Sequence, residues 1–262
     1  MMNRATILMI VLLQLLLSCS NTDSTKIPTQ DVRFNVNRAE IVRDFMTWYR
    51  YTTNNIHLSQ DFIALDEDSS EVTKAELLDK LASGKFVAYQ PTTKGGMPVY
   101  KLYKHNSSNA DIETTVRQMA LTEQLHYNME GKQLPAYSFT DLNGKVYNKS
   151  ATAGKILVIK CWFIRCVACV KEFPELNKLV STYKNRTDIL FVSLAMDSAK
   201  DLVPFLKQKQ FDYAVVPDKE AYMSESLGIT EYPTHLLIDK TGKIIKVVNA
   251  IEDLLPFIAK QL

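Results

Sequence analysis

The chain has 262 residues, which is enough for two small domains or one large one. Its hydrophobic fraction of 46% is typical of a protein with a packed core, and its formal net charge of +2 is close to neutral. A chain without a basic excess gives no support to nucleic-acid binding. The composition therefore does not indicate a function, which has to be inferred from particular sites in the sequence.

The first residues form a targeting signal. Arg4 precedes an apolar run that is short for a membrane span. This run ends in Leu-Leu-Ser-Cys, which resembles the lipobox of bacterial lipoproteins and implies cleavage before Cys19 and acylation of its thiol. An ordinary secretory signal is the alternative. We predict a lipoprotein signal peptide over residues 1–18 and a flexible polar tether over residues 19–30.

The region from residue 31 to residue 130 predicts a small α/β domain. Helical patterns begin at Asn37 and at Thr73, where Glu76 completes a capping box. Two alternating apolar runs then predict a hairpin, and a long helix closes the region. Its many aromatic residues are more typical of core packing than of a binding groove. No catalytic constellation stands out, so the role of this domain stays unassigned.

The region from residue 131 to residue 262 alternates strands with helices. It predicts a central sheet flanked by helices, so the fold class of the whole chain is α/β. The clearest elements are strands over 156–162 and 189–195 and a helix from about 167 to 184. We expect Pro204 to be tolerated only near the first turn of its helix.

Two cysteines follow the strand over 156–162. Cys166 and Cys169 lie where this strand ends and a helix begins. The N–H groups and dipole of a helix N-terminus favour a thiolate, which is the nucleophile of disulfide exchange. We predict that Cys166 attacks and that Cys169 resolves the mixed disulfide. A structural disulfide and a zinc site are the alternatives. The first would close too short a loop to add much stability, and the second lacks a second ligand pair. We predict no metal and no cofactor.

At this point the second region resembles the thioredoxin fold. It is most similar to the extracytoplasmic TlpA/ResA-like thiol–disulfide oxidoreductases, which are related to cytochrome c maturation proteins. The matching residues are Trp162, the cysteine pair, and the segments 172–176, 228–234 and 237–242. The resemblance implies a cis-proline at Pro233, opposite the cysteines, with an ordinary trans turn as the alternative. It also implies client binding by Trp162, Tyr232 and Pro233, with the Tyr232 backbone pairing to an extended segment.

The resemblance further implies that Glu172 influences cysteine protonation, acting as a general base on the resolving thiol. A solvated helix charge is the alternative. The chain departs from the family in its Val-Ala dipeptide between the cysteines, which leaves the direction of electron flow open. It also has Lys160 where thioredoxins bury an aspartate. We hypothesise that Lys160 modulates the site by pairing with Glu172, and that Cys161 is buried and inert.

The sequence thus predicts a lipid-anchored protein disulfide reductase on the periplasmic side of a bacterial envelope, with the outer membrane favoured over the inner. Its partners would be disulfide-bearing clients and a membrane thiol–disulfide electron donor. A thiol peroxidase is one alternative, but Ile159 and Phe163 stand where those enzymes have proline and threonine. A non-enzymatic binding lipoprotein is the other alternative.

Overall fold

The structure, a computed structural model, describes residues 31–105 and 109–262. The predicted signal peptide, the tether and Cys19 lie outside these residues. Among the described residues, no helix has both the length and the apolar character needed to cross a bilayer. The described chain forms two main β-sheets. One apolar core lies beside the first sheet, and two apolar cores lie on the two faces of the second.

The first sheet has the strand order β2-β1-β4-β3, with β1 parallel to β4 and the other pairs antiparallel. Its elements are α1 (Arg38–Ile41), α2 (Phe45–Asn55), β1 (Ile63–Leu65), β2 (Glu71–Val72), α3 (Lys74–Ala82), β3 (Phe86–Lys94), β4 (Met97–Lys104) and α4 (Ala110–Met129). The capping box predicted at the start of α3 is present. The helical pattern from Asn37 is split in two, because the Asp44 side chain accepts the Thr47 N–H at 2.8 Å and begins a new helix. Strand β2, only two residues long, was not predicted.

The second sheet has the order β11-β10-β7-β8-β9, with β7, β8 and β9 parallel and β10 antiparallel to both of its neighbours. Its elements are β7 (Ile156–Trp162), α5 (Val167–Lys171), α6 (Phe173–Thr182), β8 (Ile189–Ala195), α7 (Ala199–Leu206), β9 (Ala214–Val216), a π-helical turn (Tyr222–Ser226), β10 (Thr234–Ile238), β11 (Ile244–Val248) and α8 (Ile251–Gln261). A two-stranded ribbon of β5 (Ser138–Thr140) and β6 (Val146–Asn148) precedes β7.

Every residue of β7 is buried, as expected for a central strand with both faces covered. Ile156, Val158 and Trp162 face the core formed with α5, α6 and α8, whereas Leu157 and Ile159 face the core beneath the β5–β6 ribbon. Because side chains alternate along a strand, Lys160 points to the same side as Trp162, toward the helices that follow the cysteines.

Two predictions about helices are wrong. The helix expected from about 167 to 184 is two helices, because Glu172 ends α5 and begins α6, with Pro174 in the first turn. Pro204 lies inside α7 rather than in its first turn. The carbonyl that Pro204 leaves unpaired belongs to Lys200, which is exposed, so water can bind it.

Helix α4 connects the two parts of the chain. It contributes Ile112 and Val116 to the core of the first sheet and Met129 to the core between the second sheet and the β5–β6 ribbon. From its middle, the Gln118 side chain donates a 2.7 Å hydrogen bond to Glu231. Glu231 directly precedes Tyr232 and Pro233, so this hydrogen bond joins the first part of the chain to the loop for which the resemblance implies client binding.

Candidate active site

The two cysteines lie at the N-terminus of α5 and form a disulfide. Cys166 is the N-cap residue, and its sulfur accepts the Cys169 N–H at 3.1 Å. The predicted place of Cys166, after a strand and at a helix start, is confirmed. Cys166 is 8% exposed and Cys169 is fully buried. Of the two sulfur-bearing residues, Cys166 is therefore the more accessible to an incoming disulfide.

The predicted cis peptide bond between Tyr232 and Pro233 is present. Thr234 follows it at the start of β10 and pairs with Cys161 on β7. The Asn249 side chain donates to the Pro233 carbonyl at 2.9 Å and to the Thr234 hydroxyl at 3.1 Å. The loop is thereby fixed at the end of the sheet from which the chain continues to Cys166.

The surface beside this loop is aromatic. The Phe163 and Tyr232 rings meet edge to face with centroids 5.6 Å apart. Together with Asp197 and Glu220, they line a cavity of about 580 Å³. Within the described part of the chain, no hydrogen bond to the Tyr232 backbone N–H or carbonyl is found. This is the arrangement that an added client strand requires.

The position of Trp162 does not fit the client contact predicted for it. Its side chain is fully buried and packs against Phe173 and Phe211 at centroid distances of 5.1 and 5.6 Å. A side chain without exposed surface cannot touch a client in this conformation. We therefore assign Trp162 to packing beneath α5 and α6, where it supports the cysteine-bearing helix from below.

The hypothesised ion pair between Lys160 and Glu172 is present, and a third residue joins it. Lys160 Nζ and His235 Nε2 both contact Glu172 Oε2, the latter at 3.0 Å. The other carboxylate oxygen accepts the Ile251 N–H at 3.2 Å. Lys160 and His235 are fully buried and are direct cross-strand partners on β7 and β10.

Burial and partners act in opposite directions on these groups. Burial alone would raise the pKa of Glu172, but the His235 hydrogen bond and the Lys160 ammonium outweigh it, so this pKa lies well below its ordinary value. Burial lowers the pKa of Lys160, and the Glu172 carboxylate opposes that effect. Burial also lowers the pKa of His235. At neutral pH the carboxylate is therefore ionised, and the lowered pKa of His235 favours a neutral imidazole beside it.

Two further features bear on the predictions. Cys161 is fully buried, as predicted, and burial raises its pKa to about 12, which disfavours the reactive thiolate at neutral pH. Val167, between the active cysteines, is 82% exposed. It borders a groove of about 780 Å³ whose apolar lining includes Val170, Phe173 and Phe205.

His235 and Asn249 belong to the site but were not among the residues predicted from the sequence. For His235, the available signal was its spacing of two residues from Pro233, since it places the side chain on a defined face of β10. Asn249 ends the last hairpin, and nothing local in the sequence points from there to the Pro233 carbonyl.

The second half of the chain is similar to known proteins. The Redoxin family model matches residues 129–254. Thiol-disulfide oxidoreductase ResA of Bacillus thuringiensis subsp. konkukian is 33% identical over 120 residues, which cover 45% of this chain and 69% of that protein. ResA of Bacillus subtilis is 29% identical over 121 residues, covering 46% and 67%. The thioredoxin domain of a thiol-disulfide oxidoreductase from Bacteroides vulgatus superposes with a TM-score of 0.45 at 25% identity, covering 50% of this chain and 96% of that one.

Proposed function

Because the chain belongs to the family of thioredoxin-like thiol–disulfide oxidoreductases that includes ResA, we propose that it reduces protein disulfides outside the cytoplasm through Cys166 and Cys169. The observation that carries the proposal is the redox pair at the N-terminus of α5, with the Tyr232–Pro233 loop at the same end of the sheet.

The reaction proceeds by two exchanges. In the reduced protein, the Cys166 thiolate attacks one sulfur of a client disulfide, and the other client sulfur leaves as a thiolate. Cys169 then loses its proton and attacks Cys166, which releases the second client sulfur and re-forms the enzyme disulfide. Two electrons have passed to the client, and a membrane dithiol donor returns two electrons to the protein.

We assign the supporting roles from the contacts. The Tyr232 backbone pairs with an extended client segment, Pro233 holds that backbone in place, and Glu172 influences the ionisation of Cys169 one turn earlier on the helix. Residues 31–130 and 131–262 act as two domains, the first of which supports the client loop. The direction of transfer is tested by the redox potential of the cysteine pair, because reductants and oxidants of this fold differ by more than about 100 mV.

Lipid attachment at Cys19 would hold the protein on the periplasmic side of the outer membrane, and the lipobox-like sequence supports it. Full-length protein expressed with a labelled fatty acid should carry the label and enter the detergent phase of a two-phase extraction. Cys19→Ser should lose both properties, because no thiol remains for acylation. Cys161→Ala, which removes a buried thiol, should keep them. Equal labelling of Cys19→Ser and the parent chain would contradict the anchor.

A further inference from the structure

The buried histidine beneath the redox helix has a role that the family resemblance does not assign. His235 lies on β10, two residues after the cis-proline, and its Nε2 reaches Glu172 Oε2 at 3.0 Å. Its other nitrogen, Nδ1, is buried and has no hydrogen-bond partner among the described residues. A buried N–H without an acceptor is costly, so the proton of the neutral ring belongs on Nε2, where it is donated to Glu172.

The carboxylate of Glu172 is held from three elements. Lys160 approaches from β7, His235 from β10, and the Ile251 N–H from the first residue of α8. The N-terminus of α8 also presents the positive end of its helix dipole to this charge. Both carboxylate oxygens thus have polar partners, and these contacts fix the orientation of the side chain.

The fixed position of Glu172 affects the charge near the cysteines. Glu172 is both the C-cap residue of α5 and the N-cap residue of α6, with helical φ and ψ of −77° and −13°. It therefore keeps the one-turn spacing from Cys169 that places two side chains on the same helix face. A carboxylate one helical turn from a cysteine disfavours ionisation of its thiol unless the carboxylate charge is balanced by other groups.

We propose that His235 is a positioning residue that acts through Glu172: its Nε2–H holds and partly balances the buried carboxylate and so favours thiolate formation at the Cys166–Cys169 pair. This role depends on the hydrogen bond from His235 to Glu172 and does not require the imidazole to be charged. Among the described residues, the other ionisable groups that interact electrostatically with this cluster are Cys161, Glu175, Glu252 and Tyr213, and all four stay unchanged in the test.

The test measures the pH dependence of thiol alkylation in the full chain, purified in detergent and reduced with dithiothreitol. His235→Leu removes the donor and should raise the alkylation midpoint by about half to one pH unit, because Glu172 is then less balanced. His235→Gln can place an N–H near the former Nε2 position, so its alkylation midpoint should lie within about 0.2 pH units of that of the parent chain. His126→Leu removes another buried histidine, one that does not contact Glu172, and should leave the midpoint unchanged.

Two results would overturn the proposal: an unchanged midpoint in folded His235→Leu, or an equal shift in His235→Leu and His235→Gln. Nitrogen chemical shifts of His235 in the parent chain give a readout that needs no variant. The proposal requires a neutral ring protonated on Nε2 at pH 7, and a proton on Nδ1 instead would contradict it. Since these measurements concern thiol ionisation alone, they can fail while client reduction stands, and the reverse also holds.

Discussion

Replacing Cys166 by serine should lower the rate of protein disulfide reduction by at least about a thousandfold, because the attacking thiolate is gone. Cys169→Ser should also stop turnover, but by a different route. It retains the nucleophile and loses the resolving thiol, so it should accumulate a mixed disulfide between Cys166 and the client. The turnover rate is measured as reduction of a disulfide-containing protein with excess dithiol. Trapping is measured separately, by mixing the pre-reduced variant with the client in the absence of dithiol and separating the products by non-reducing electrophoresis.

Cys161→Ala is the matched control for both variants. It removes a thiol from the neighbouring strand that is fully buried and outside the exchange pathway. It should retain the parent rate and trap no client. Substantial turnover by Cys166→Ser, or trapping by Cys166→Ser rather than Cys169→Ser, would show that the roles of the two sulfurs are assigned wrongly.

The second large effect concerns stability. Glu172→Gln leaves the Lys160 ammonium buried without its counter-charge, and removing one partner of a buried pair costs about 3–5 kcal/mol of the free energy of unfolding. The double variant Lys160→Met with Glu172→Gln leaves no charge to pair and should recover most of this loss. Glu175→Gln, which removes a carboxylate further along α6, should change the value by less than about 0.5 kcal/mol. Urea unfolding at pH 7 measures all three.

The same pair predicts an acid dependence. The pKa of Glu172 is lowered from 4.5 to about 2 in the folded protein. A carboxyl group with a lowered pKa stabilises the fold fully above its unfolded pKa, and this contribution is lost as the pH falls toward the folded value. The difference between the parent chain and Glu172→Gln should therefore shrink as the pH falls below about 4.5. A single variant as stable as the double variant, or a difference independent of pH, would show that the pair contributes nothing.

Much of the second sheet could be predicted because its signals are local. The apolar run of β7, the spacing of Cys166 and Cys169, and the turn residues each act over a few neighbours. The Lys160–Glu172 pair was also predictable, since a lysine in a buried strand needs a nearby acid. Family resemblance supplied the cis bond before Pro233, which no local periodicity reveals.

What the sequence could not show depends on register and on competition between neighbours. The contact of His235 with Glu172 follows from the pairing of β10 with β7, which the pattern of either strand leaves open. The break at Glu172 arises where Pro174 and the buried ion pair interrupt an otherwise continuous helical pattern. For Trp162, the resemblance suggested client contact, but its large apolar ring is instead buried among Phe173, Phe205 and Phe211.

The most direct test of the proposed function is the redox potential of the Cys166–Cys169 couple. The full chain in detergent would be equilibrated in defined thiol–disulfide buffers, its thiols trapped by alkylation, and the two redox states counted by mass. A reversible two-electron transition on the order of −270 mV, the range of thioredoxin, is the expected result. A value on the order of −120 mV would make the protein an oxidant and contradict the proposed direction. The absence of any reversible transition would contradict a redox role for this cysteine pair.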